Sequence, residues 1–168
     1  MGYLHNTSFS QIIPCTAMHG VIGAYTQDAG QTANTICLHR AAAASTGVVN
    51  IPITILSNES PLKGAYLQYI HVDYELTDDV AVSVTAVLNK IVQGADGAAP
   101  TVTQPAITQS LTAGGTAITL DHHKMVITLT TPVWVDDADY YLLAMSFECG
   151  AAVEVDVQSA VAYFTEKL

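Results

Sequence analysis

The chain has 168 residues, half of them hydrophobic, which is enough for one domain with a sizeable core and excludes a disordered chain. Charged residues make up 12%, about half of the roughly 25% usual in a soluble domain, and the net charge is −10. The five basic residues, Arg40, Lys63, Lys90, Lys124 and Lys167, are scattered singly, which excludes the cation clusters that nucleic acid or an anionic membrane demands.

The opening MGYLHNTSFSQIIPC has neither a basic leader nor an apolar stretch, and no apolar run approaches the roughly 18 residues of a membrane-spanning helix. Synthesis in a cytoplasm is expected. Residues 1–18 show weak periodicity and are expected to form an arm that orders on a neighbour, ahead of a single domain over 19–168. The cysteines, Cys15, Cys37 and Cys149, are too far apart for a zinc ribbon or a thioredoxin-like site, and their odd number argues against a disulfide framework. They read best as buried thiols.

From Gly20 onward the hydrophobic period is two. GVIGAYT (20–26) and TICLHR (35–40) are short strands separated by the turn-forming DAGQTAN. AAAAS (41–45) is the one helix-friendly stretch, too short to be stable alone. VVNIPITILS (48–57) contains Pro52, which cannot donate to a ladder, so an edge position or a bulge is expected there. After the turn NESPLKG comes a long strand, Ala65–Leu76. Ile70, Val72, Tyr74 and Leu76 fall on one face; Tyr69, His71, Asp73 and Glu75 fall on the other. LTDD then leads to VAVSVTAVLNKIV (80–92), which reads as a hairpin partner or as a crossing to a second sheet.

The connection 93–116 carries Pro100, Pro105 and the pair Gly114–Gly115, which exclude a helix; TVTQ and AITQSL within it are candidate edge strands. KMVITLT (124–130) follows, then TPVWVDDAD as a turn holding Trp134. YYLLAMSFEC (140–149) turns Tyr141, Leu143, Met145, Phe147 and Cys149 inward. AVEVDVQSAVAYF (152–164) turns Val153, Val155 and Val157 inward and Glu154, Asp156 and Gln158 outward. The short link GAA predicts a hairpin between these last two strands. About eight strands without helical crossovers predict an all-β fold: an antiparallel β-sandwich with a jelly-roll or Greek-key path.

Three acidic or histidine constellations are candidates for chemistry. His71, Asp73 and Glu75 stand in steps of about 7 Å, too widely spaced for one ion unless a neighbouring strand brings Glu154 and Asp156 beside them. Such a cluster suits Ca²⁺, which takes roughly six to eight oxygens; the plainer reading is a wetted sheet face. Asp136, Asp137 and Asp139 resemble the opening of a calcium loop but lack the glycine and the closing glutamate of an EF-hand. In Asp121-His122-His123 the adjacent histidines point to opposite faces and do not chelate together. No nucleophile elbow or phosphate loop is present, so no catalytic residue and no cofactor is assigned and an enzyme is not expected. Trp134, Tyr140 and Tyr141 are candidates for a sugar-stacking platform, with Trp134 as a core or interface anchor the alternative.

The TPVW run, the D-A-D-Y-Y-L step and the apolar closing strand, over about residues 65–164, resemble small β-sandwich proteins found among the structural proteins of bacteriophages and related viruses. The resemblance implies a jelly-roll-like fold, a place in the virion after synthesis in a host cytoplasm, and a surface, decoration or capsid-associated subunit, often a homotrimer. With the low charge content, the reading is a non-enzymatic self-assembling structural protein whose partners are copies of itself and other structural subunits. The alternative is a lectin-like or Ca²⁺-dependent carbohydrate-binding module.

Overall fold

The computed structural model describes residues 6–29, 36–55, 64–77, 83–111, 121–136 and 139–167. In chain order these form β1 (Asn6–Pro14), a 3₁₀ turn (Cys15–Ala17), β2 (His19–Ile22), β3 (Tyr25–Asp28), β4 (Cys37–Arg40), β5 (Thr46–Ile53), β6 (Gly64–Leu76), β7 (Ser83–Val92), β8 (Thr101–Thr103), β9 (Ile107–Leu111), β10 (Asp121–Asp136), β11 (Asp139–Glu148) and β12 (Val155–Lys167). The expected turns NESPLKG and LTDD, most of DAGQTAN, the Gly114–Gly115 pair and Asp137 lie outside the described residues.

Two antiparallel sheets result. The first runs β3-β4-β12-β6-β10-β9, with β1 also paired to β12; the second runs β2-β5-β11-β7-β8. Eight of these strands trace a jelly roll. The chain alternates between sheets so that β12 inserts between β4 and β6 while β11 inserts between β5 and β7. The twelve strands exceed the expected eight because β1, β2, β3 and β9 widen the edges of that framework. Residues 6–14, placed in an arm from sequence, run along β12 of the same chain from Asn6↔Lys167 to Pro14↔Ser159.

The core lies between the sheets. Ile70, Val72, Tyr74 and Leu76 of β6 and Leu143, Met145 and Phe147 of β11 are buried, as the period of two requires. Burying each such large side chain contributes on the order of 1.5–3 kcal/mol. Across β6 sit Ala160 and Ala162, opposite Val72 and Ile70, so small residues face branched ones within the layer.

Several expectations are corrected. β11 and β12 are not a hairpin: they belong to different sheets, and the 149–154 link crosses from one to the other. TPVW is not a turn but the last part of β10, which continues past an irregularity between Thr128 and Val133. AAAAS, as its shortness led one to expect, forms no helix. Its carbonyls are drawn inward by buried Arg40, whose Nη2 donates to Ala43 O (3.1 Å), Ser45 O (2.8 Å) and Ser45 Oγ (2.8 Å). β2 and β3 are separate strands because Gly23 sits at φ 93°, a left-handed backbone that breaks the run. Pro52 lies beyond the reach of β2, which pairs with residues 48–50, so its missing donor costs no ladder bond there. The 93–116 connection does contribute two edge strands, β8 and β9.

Two bulges set the outer face of the first sheet. Strict alternation from Val157 would send Ser159, Val161 and Tyr163 inward. A register shift between Val157 and Ser159 places Ala160, Ala162 and Phe164 inside and leaves Tyr163 outside. In β6, Gln68 is the extra residue: Leu67 and Ala65 are buried, and Tyr66 and Tyr69 both remain partly exposed. Each bulge reverses which residues see water.

Candidate functional site

The bulges gather aromatic side chains onto one exposed surface. Tyr69 and Tyr163 are opposite one another in the β6–β12 ladder, with ring centroids 4.3 Å apart and planes at 20°. His71 tilts against both, 5.1 Å from Tyr69 and 4.8 Å from Tyr163. At the start of β6, Trp134 meets Tyr66 edge to face at 5.0 Å, and its Nε1 donates to Asp136 Oδ2 at 3.0 Å, which fixes the indole. Gly64 lies beneath that indole, where a Cβ would stand 2.6 Å from Cζ2.

Beside the stacked tyrosines lies an open groove of about 250 Å³, lined by Ser8 and Ser10 of β1, Gln68 and Tyr69 of β6, and Tyr163 and Thr165 of β12, with Phe9 and Phe164 at its base. Gln68 Nε2 donates to Thr165 Oγ1 at 2.6 Å. Burial, with Lys124 nearby, holds the His71 pKa below its ordinary value against a weaker pull from Asp73. At neutral pH the ring is therefore an uncharged member of the aromatic group.

The candidate metal residues do not converge. Asp73 approaches Lys124 Nζ at 3.8 Å and accepts from Ser159 Oγ at 3.3 Å. Glu75 lies 3.6 Å from His122 Nε2 and accepts from Gln158 Nε2 at 3.3 Å. His71 instead joins the tyrosines. β12 is indeed beside β6 and sets Asp156 opposite Glu75. Asp156, read as outward and wet, is fully buried and engages His39 Nδ1 at 2.6 Å. Asp136 is held by Trp134; Asp137 and the Asp139 side chain lie outside the described residues. Among the described residues no group of three or more His, Cys, Asp or Glu is arranged to hold a metal ion.

The platform of Trp134, Tyr140 and Tyr141 is also corrected. Tyr141 is buried, donating its hydroxyl to Trp134 O at 2.8 Å, and Tyr140 projects from the outer face of the second sheet. Trp134 alone joins the aromatic surface of the first sheet. Tyr66 and Tyr163, which strict alternation turns inward, were the residues missed, and their signal would have been a bulge.

The three cysteines are free and buried. Burial first, then the nearby Asp156, pushes the Cys37 thiol up to about 12, so it is no nucleophile at neutral pH.

No family model matches the chain, and no curated protein matches it. Among solved structures it is similar to that of TmCBM61 in complex with beta-1,4-galactotriose, at 10% identity over 95% of this chain and 88% of that chain, with a TM-score of 0.38. A likeness at that level assigns this chain no ligand.

Proposed function

We propose that the chain is a carbohydrate-binding β-sandwich module that receives a glycan on the outer face of its first sheet. The observation that carries the reading is the partly exposed Tyr69–Tyr163–His71 group beside a groove lined by hydroxyls and a carboxamide. A sugar ring offers an apolar C–H face and a rim of hydroxyls. Tyrosines supply apolar area with polar tips, and Ser8, Ser10, Gln68 and Thr165 are neutral hydrogen-bonding partners for the rim. Because the rings already rest on one another, little side-chain freedom remains to be lost on binding.

The preferred ligand is a neutral glycan. Asp73 and Glu75 share this face, its Lys124 is engaged by Asp73, and the chain carries −10 overall, so an anionic polysaccharide would be repelled. The reading is tested by titrating neutral and acidic oligosaccharides into the protein in a calorimeter. Neutral ligands should bind, and Tyr163→Ala and Tyr69→Ala should each weaken binding at least tenfold with the β-sheet circular dichroism retained. No binding across a broad neutral panel, or wild-type affinity in both variants, would refute it. Repeating the titration with a chelator separates direct binding from Ca²⁺-dependent binding.

A further inference from the structure

The outer face of the second sheet differs in kind from the tyrosine face. Among the described residues, the outward positions of β5, β7 and β11 carry a single charged side chain, Glu148 at one end. The centre of the face is Leu142, Ala144, Val87 and Ile91, with Asn50 and Asn89 interspersed. Among the described residues, three large hydrophobic side chains on this face are left exposed: Val87, Val102 and Tyr140. Val87 is 40% exposed, Tyr140 42% and Val102 55%.

We infer that this face docks a second copy of the chain, sheet against sheet, and the inference stands independently of the glycan reading. Area is the first argument. At about 4.8 Å between strands and about 3.4 Å per residue, the five strands of 4, 8, 10, 10 and 3 residues span roughly 570 Å². Side chains standing off the sheet enlarge that flat footprint toward the about 800 Å² per partner that a stable interface of ordinary size buries.

Charge selects the occupant. A protein of net charge −10 repels its own copies. The first sheet's outer face would bring the Asp73 and Glu75 carboxylates of two molecules together. The second sheet's face carries almost no charge, so two like-charged molecules meet there without that penalty. Ala144 lies at the middle of β11, between Asn50 and Val87, and its small side chain allows two sheets to close around a twofold axis. Such a contact is self-complementary, as a twofold dimer requires.

Sedimentation velocity from about 1 to 100 µM tests the inference. The wild type should sediment as a dimer, and Ala144→Glu and Val87→Asp should each raise the dimer dissociation constant at least hundredfold. Thr128→Glu, an exposed change on the outer face of the first sheet, should leave it unchanged. Melting curves confirm that the variants fold; if Ala144→Glu does not, Val87→Asp decides alone. A monomeric wild type at 100 µM, a dimer that survives both changes, or one dispersed by Thr128→Glu would overturn the inference.

Discussion

β8 pairs with residues 90–92 of β7 and stops there, which leaves the edge of β7 open at Ala86. Gln109 of β9, in the other sheet, closes that gap with its side chain: Ala86 N donates to Gln109 Oε1 at 2.9 Å, and Gln109 Nε2 donates to Ala86 O at 2.7 Å. One carboxamide thus replaces a strand and ties the two sheets together. With the amide in place Ala86 is 3% exposed, its peptide groups covered by the carboxamide. Each satisfied bond contributes about 1 kcal/mol net, and stranding a buried partner costs about 1–3 kcal/mol. Gln109→Ala should therefore destabilise the fold by about 2 kcal/mol, a fall of roughly 4–8 °C in melting temperature for a chain of this size. Urea unfolding measures the free energy, and hydrogen exchange at the Ala86 amide reports the bond directly. Gln109→Glu should be at least as damaging at pH 7, where a carboxylate faces the Ala86 carbonyl. It should recover in part near pH 4, where the carboxyl regains a proton to donate. A loss below about 0.5 kcal/mol with unchanged Ala86 exchange would show that the contact holds nothing together.

Two further tests follow from the packing. A Cβ at Gly47 would stand 2.5 Å from Tyr25 Oη and 3.0 Å from Arg40 Nη1, so Gly47→Ala should cost about 1–3 kcal/mol by overpacking; an unchanged thermal melt would show that this end of the sandwich is loose. His71 is held below its ordinary pKa, so the folded state prefers the neutral ring. Its contribution is complete above the ordinary histidine value and is lost as pH falls through the lowered one. Between pH 7.5 and 5 the wild type should lose more stability than His71→Gln, and parallel melting curves for the two proteins would contradict the assignment.

Much of the fold was legible in residue order alone. The inward set of β11 and the two faces of β6 from Tyr69 to Leu76 are where alternation places them, because a half-buried strand has no freedom but to alternate. The two edge strands in 93–116 were legible from prolines that interrupt longer pairing. The tyrosine face was not. Tyr66 and Tyr163 reach the outside through bulges at Gln68 and after Val157, and a one-residue bulge leaves no mark in hydrophobicity while inverting everything beyond it. Asp156 was misread for a related reason: its position alternates outward, but what covers a side chain there depends on β4 and its His39, distant in sequence. The hairpin forecast for β11 and β12 failed because a short link serves equally to turn within a sheet or to step between sheets.

The tyrosine surface and the uncharged surface lie on opposite sides of one sandwich, and this has a geometric outcome for any pair of molecules joined back to back. Stacked sheets sit about 10 Å apart, so four layers would hold the two tyrosine surfaces roughly 30 Å from each other and aimed in opposite directions. Such a pair would be poorly shaped to grip one polymer twice. On the proposed glycan reading it would be well shaped to tether two separate strands, and a solution of long neutral polysaccharide would then thicken as the protein is added.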